Sequence, residues 1–199
     1  MKRIFLPTSR SLILLGLLFL VFGGVAVQGQ RRDYLTDDEI ELVRDAQQID
    51  LRIRVLTRAI DRRFAVLGIS SNGEVPKDKS GSWGPAPSGT RMELLDDIKR
   101  IIQKAVDDID NLAERPDSIV VEEPDKKQKP KKYEDVFPPA VHILAAAAKR
   151  YEPLLKKELE NTKDERERGI LIQSGDLCEQ IVAAELRLPK EAVKKSGNR

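Results

Sequence analysis

Few residues in this chain could do covalent, metal or redox chemistry, and the best of them occur once. His142 is the sole histidine and Cys178 the sole cysteine. Together they would make a minimal base and nucleophile, but Cys178 stands beside the apolar seam at Leu177 and Ile181, where a packed thiol is expected. A zinc site needing several histidines cannot form within one chain, and the paired Glu-x-x-His of di-iron bundles is missing. No Cys-x-x-Cys-His is present to attach haem. A haem held by His142 and Met92 is formally conceivable, but Met92 falls in the first turn of its helix. Asp107, Asp108, Asp110 and Glu114 form an acidic cluster, yet Asp108-Ile-Asp110-Asn-Leu-Ala lacks the third oxygen ligand and the glycine of a calcium loop. Nucleophile elbows, phosphate-cradling glycine loops and dinucleotide fingerprints are also missing. No catalytic, cofactor-binding or metal-binding residue is therefore expected, and a non-enzymatic role is favoured over an enzyme.

Two features could instead mediate binding. Trp83, the only tryptophan, lies in a Ser/Gly/Pro-rich stretch. It would either fold back over the end of the protein or stand out as an anchor for a partner. Lys126, Lys127, Lys129, Lys131 and Lys132 make a basic run, flanked by Glu122, Glu123, Asp125, Glu134 and Asp135. Balanced charge of this kind gives little long-range field and suits a solvated loop. Its local role would be to neutralise the acids at the end of the helix before it.

The leader sets the compartment. Lys2, Arg3 and Arg10 precede an apolar run over 11–22, broken by Gly23 and Gly24, with Val27-Gln28-Gly29 at a cleavage-like site. That is the layout of a secretory signal peptide over residues 1–29. The alternative is an uncleaved membrane anchor through residues 11–27, a stretch at the short end of the roughly 17–25 residues a spanning helix needs. The chain has 35 basic and 33 acidic residues; the leader takes three basic ones, leaving 32 against 33, a net charge of −1. So balanced a chain offers no electrostatic case for nucleic acid. With one cysteine, the fold must be held by its core.

Helices are the expected elements. Thr36-Asp-Asp-Glu39, Thr90-Arg-Met-Glu93 and Thr162-Lys-Asp-Glu165 each fit the capping box. Ile40, Val43, Ala46, Ile49, Ile53, Leu56, Ile60, Phe64 and Leu67 recur in steps of three and four, as on one face of a helix. Helices are expected at about 36–67, 90–115, 139–161 and 163–188, from the caps and stops that bound each apolar pattern. Pro153 should kink the third. The simplest burial scheme is an all-α, antiparallel four-helix bundle with a long first helix, over residues 36–188. The stretches 69–89 and 116–137 would be long irregular linkers, and 189–199 a frayed tail.

The stretch Tyr34-Leu-Thr-Asp-Asp-Glu-Ile-Glu-Leu-Val-Arg-Asp-Ala-Gln-Gln-Ile-Asp50 resembles the start of uncharacterised exported helical proteins of bacteria, a resemblance that implies no activity. The Leu-Thr-then-acid opening is also similar to that of small periplasmic chaperones of the Spy type. Their repeated Leu-Thr-x-x-Gln is not kept: Glu39 replaces Gln and no second copy occurs. The expectation is an exported, periplasmic or secreted bundle that binds another envelope protein or itself, without cofactor or metal. The alternative is a chaperone-like or small-ligand-binding bundle, with Ala145–Ala148 and Pro153 as the place for a cavity.

Overall fold

Thr36 opens the first helix as the sequence demands: its hydroxyl accepts from the Glu39 amide at 3.3 Å, and Glu39 Oε2 accepts from the Thr36 amide at 3.0 Å. In this computed structural model residues 32–73, 81–116 and 132–188 are described. Residues 1–32 and 33–199 form separate units. The expected leader (1–29) and tail (189–199) lie outside the described residues, and the fold below is that of the second unit.

Helix α1 is short, Asp37–Asp45, and α2 follows at Ile49–Val66. The expected continuous helix over 36–67 is thus broken at residues 46–48. Ala46 leaves the helix with ψ 76°, and its carbonyl accepts from Arg52 Nε at 3.0 Å. The break has a physical cause in two distant charges, described below. Gly68 then ends α2 at φ 74°, a left-handed conformation that glycine adopts without a Cβ penalty.

Helix α3 spans Arg91–Glu114 and begins with the expected Thr90/Glu93 capping box. Helix α4 spans Tyr133–Asn161, six residues earlier than expected at its start. Pro138 and Pro139 lie inside it rather than at its beginning. Their missing donors leave the carbonyls of Glu134 and Asp135 free, and both residues are exposed, so water can serve those groups. Val136, 2 % exposed, anchors this early turn in the core. Helix α5 spans Glu165–Glu185 and is capped by Asp164, whose Oδ1 accepts from the Arg166 and Glu167 amides. The box expected at Thr162 does not form. Thr162 instead ends α4, and its hydroxyl donates to Glu167 Oε2 at 2.9 Å.

No strand occurs among the described residues. The helices pack as in a helical bundle: α2 and α5 each lie against both α3 and α4, and α1 lies on α2. Ile53, Leu56, Ile60, Phe64, Leu95, Ile98, Ile101, Ile102, Leu155 and Leu171 fill the centre. Removing each such side chain from water contributes about 1.5–3 kcal/mol. Ala140, Ala145, Ala147 and Ala148 are also buried and let α4 approach its neighbours closely.

Candidate functional site: buried charges and an apolar groove

Three consecutive residues near the end of α2, Asp61, Arg62 and Arg63, are buried. Fully buried charges are costly unless paired, and these three are tied to several distant segments of the chain. Arg63 Nη2 donates to Glu39 Oε2 at 2.8 Å and to the Tyr34 carbonyl at 2.6 Å, and its Nη1 meets Glu39 Oε1 at 3.0 Å. Arg62 Nη1 reaches the same Glu39 oxygen at 2.7 Å. Asp97 on α3 lies 3.5 Å from Arg63 Nε. Two carboxylates thus face two guanidiniums in a region closed to solvent. On one straight helix Glu39 and Arg63 would stand about 36 Å apart at 1.5 Å per residue. The break between α1 and α2 is what lets them meet.

Arg62 also holds the chain before α3. Its Nη2 donates to the Gly84 and Pro85 carbonyls at 3.2 and 2.5 Å, and its guanidinium lies 5.5 Å from the Trp83 ring centre. Trp83 is 8 % exposed and belongs to the core. It packs inward, as one of its two readings had it, and a buried indole is not an exposed anchor for a partner. Gly84, at φ 58°, lies so close to the Asp38 carboxylate that a Cβ would collide with it. Of the candidate lysines only Lys132 is described; it is exposed, and its amide donates to Asp135 Oδ2 at 2.9 Å. Lys126, Lys127, Lys129 and Lys131 lie outside the described residues.

Other groups with chemical potential are engaged in packing or ion pairs. Cys178 is completely buried, and burial pushes its thiol up to about 12. His142 Nδ1 lies 2.8 Å from Glu185 Oε1, and Lys149 Nζ lies 2.6 Å from Glu185 Oε2. Hydrogen bonds from these two residues hold the Glu185 carboxyl below its ordinary range. Arg91 joins Glu158 on α4 to Glu167 on α5 at 2.6 and 3.2 Å. Among the described residues no group of three or more His, Cys, Asp or Glu side chains could hold a metal ion. Nor, among them, is any helix long and apolar enough to cross a membrane.

Two grooves stand out among the described residues. One, about 380 Å³, lies between α3, α4 and α5, with Ile109, Phe137, Val141, Leu144, Ile181 and Leu188 in its lining. The other, about 520 Å³, runs between α3 and α5 past mostly polar residues, among them Lys99, Gln103, Asp107, Asp176 and Gln180. Its cations are already occupied: Lys99 pairs with Asp96 at 2.7 Å, Lys104 with Asp108 at 2.9 Å, and Arg100 covers the Tyr34 ring at 4.4 Å. The expected cavity site on α4, Ala145–Ala148 and Pro153, does not line the apolar groove. Val141 and Leu144 read as core positions on α4, and they are buried; only the packing of α3 and α5 shows that they also border a groove. No protein-family model, curated protein or solved structure matches this chain.

Proposed function

We propose that the chain is an exported, non-enzymatic helical-bundle protein that binds another protein or helps to organise the envelope. Four helices, α2 to α5, form its body as two antiparallel hairpins, α2/α3 and α4/α5, laid side by side. Arg91 supports this arrangement, because it joins the start of α3 to the end of α4 and the start of α5. The α3–α4 connection is then long for a reason: it joins helices that touch each other only sparsely.

The observation that carries the binding role is the apolar groove of about 380 Å³. Apolar concavities with a few polar groups at the rim are the usual form of a binding site, and here Asp110, Gln180 and Arg187 supply the rim. The same volume falls within the range of about 300–1,000 Å³ typical of small-molecule sites. It therefore also supports the second reading, a bundle holding a small apolar ligand. That reading moves from the Ala145–Ala148 run, whose buried members pack in the core, to the Phe137–Leu144 side of α4.

The experiment is capture of partners by residues 30–199 from an envelope extract, with Ala184→Arg as the comparison. Ala184 is exposed and lines the groove, so arginine should obstruct it while the core stays intact. Loss of a specific partner in the variant is expected. Recovery of the same partners by both proteins would contradict the assignment of this groove.

A further inference from the structure

Acids on helix α3 fall into two sets. Asp96 and Asp108 are paired with Lys99 and Lys104 at 2.7 and 2.9 Å. Asp107, Asp110 and Glu114 are exposed, and no cation pairs with them among the described residues. The Asp107 carboxylate accepts from the neutral side-chain amide of Gln103, at 2.8 Å. Asp110 and Glu114 lie near the C-terminus of α3, where the helix dipole disfavours anions, and the last turn carries no basic residue. This edge of α3 is left with uncompensated negative charge.

The edge has a definite place. Spacings of three and four residues put Asp107, Asp110 and Glu114 on one side of α3, over about 10.5 Å. Asp110 stands on the rim of the apolar groove, and Asp107 lines the larger groove beside it. Gln180 of α5 lines both, so the two adjoin. On the α5 wall Ala183 and Ala184 are exposed and small, which lets another helix come close. Arg187, just past α5, is the one cation in the lining of the apolar groove.

We infer that the apolar groove takes an amphipathic helix of a partner protein, apolar at i, i+4 and i+7, with lysine or arginine along the flank that meets Asp107, Asp110 and Glu114. The inference rests on the binding role proposed for this groove and adds the chemistry of the partner. Two turns of helix, about 10.8 Å, match the acidic edge in length. Docking of a helix in a groove reads anchors at this spacing. An extended peptide would want a free sheet edge, and no strand occurs among the described residues. Arg187 repels a second basic flank, so the cations belong to one side of the partner helix. A small apolar ligand would leave the three acids as they are.

The test is binding of three labelled synthetic helices to the full chain, read by fluorescence anisotropy. One carries leucine at i, i+4, i+7 and i+11, with lysine along one flank. The second exchanges those lysines for glutamate, and the third exchanges the leucines for serine. At about 50 mM salt the lysine–leucine helix should bind about tenfold more tightly than the glutamate one, since each exposed ion pair contributes a factor of a few. The difference should shrink at about 500 mM. Asp107→Asn, Asp110→Asn and Glu114→Gln together should abolish the preference between the two leucine helices, whereas Ala184→Arg should weaken both. Equal binding of those two helices, both weakened by Ala184→Arg, would overturn the basic partner and leave the groove's binding role standing. Binding of neither would also overturn it, and capture by the wild-type chain and Ala184→Arg then decides the groove's role separately. Equally tight binding of the serine helix would reduce the acids to a general cation patch and overturn it too. So would a dimer in sedimentation that Ala184→Arg splits, because a second copy would then fill the groove. The three acids are exposed, so the triple variant should fold; if it does not, the salt dependence and the glutamate helix still decide the matter.

Discussion

Glu39 and Arg63 lie 24 residues apart in sequence and meet at 2.8 Å with side chains 0 % and 1 % exposed. Glu39 does two jobs at once: it closes the capping box of α1 and neutralises Arg62 and Arg63. Glu39→Gln keeps the shape but leaves two buried guanidiniums with Asp97 as their one nearby carboxylate. Breaking a buried pair from one side costs about 3–5 kcal/mol. Urea unfolding should register a loss in that range.

Gly84 and Gly68 test backbone strain against crowding. Both have positive φ, 58° and 74°, but only Gly84 has a neighbour where its Cβ would lie. Gly68→Ala should cost about 1–2 kcal/mol, the usual expense of a left-handed alanine. Gly84→Ala should cost clearly more, because it must also displace Asp38. Equal losses in thermal unfolding would mean that the Asp38 contact is unimportant.

Cys178 should be inert while the protein is folded. With its thiol raised to about 12, almost none is ionised at neutral or mildly alkaline pH. A thiol reagent such as iodoacetamide should label it only on unfolding, at a rate that follows the denaturant. Rapid labelling of the native protein would contradict the packed-thiol assignment.

Glu185 ties stability to pH from the acid side. Its folded-state value is lowered from 4.5, so its stabilisation is present above 4.5 and is lost as pH falls through the lowered value. Glu185→Gln should therefore be less stable than wild type near pH 7, and the gap should close towards about pH 3. Urea midpoints at the two pH values measure this directly.

Trp83→Ala should act on stability rather than on an interface. Truncating a buried aromatic costs about 3–5 kcal/mol, and Arg62 would lose the ring it covers. A variant of unchanged stability would place the indole outside the core.

Much of the helical content was legible in the sequence, because its signals are local. Two of the three Thr/Glu boxes formed, and the apolar steps of three and four at Ile53, Leu56 and Ile60 marked a buried face. Thr162 failed as a cap because Asp164, two residues on, accepts two amides at the start of α5. The start of α4 was misplaced because Pro139 looked like a first-turn proline, while Val136 had enough to bury to extend the helix backwards. The break after Asp45 was hidden for a different reason. Acids early and arginines late both satisfy the helix dipole, so Glu39, Arg62 and Arg63 read as ordinary end charges. A stricter reading of periodicity offered a clue. Arg63 continues the stripe of Leu56 and Ala59, and Asp97 lies between Leu94 and Ile101 on another. Charged residues at apolar positions on two different stripes ask for one another. Which stripes meet is a tertiary fact, and so is the groove beside Val141 and Leu144.

Everything here turns on the chain folding back at residues 46–48 so that buried charges of α1 and α2 close on one another. Spin labels at the exposed positions Glu41 and Ala65 report that directly by pulsed electron resonance. A continuous helix would hold the two backbones about 36 Å apart. The folded-back arrangement predicts a narrow distribution far shorter than this, which lengthens when Glu39→Gln is added. A distribution centred near the straight-helix distance would contradict it.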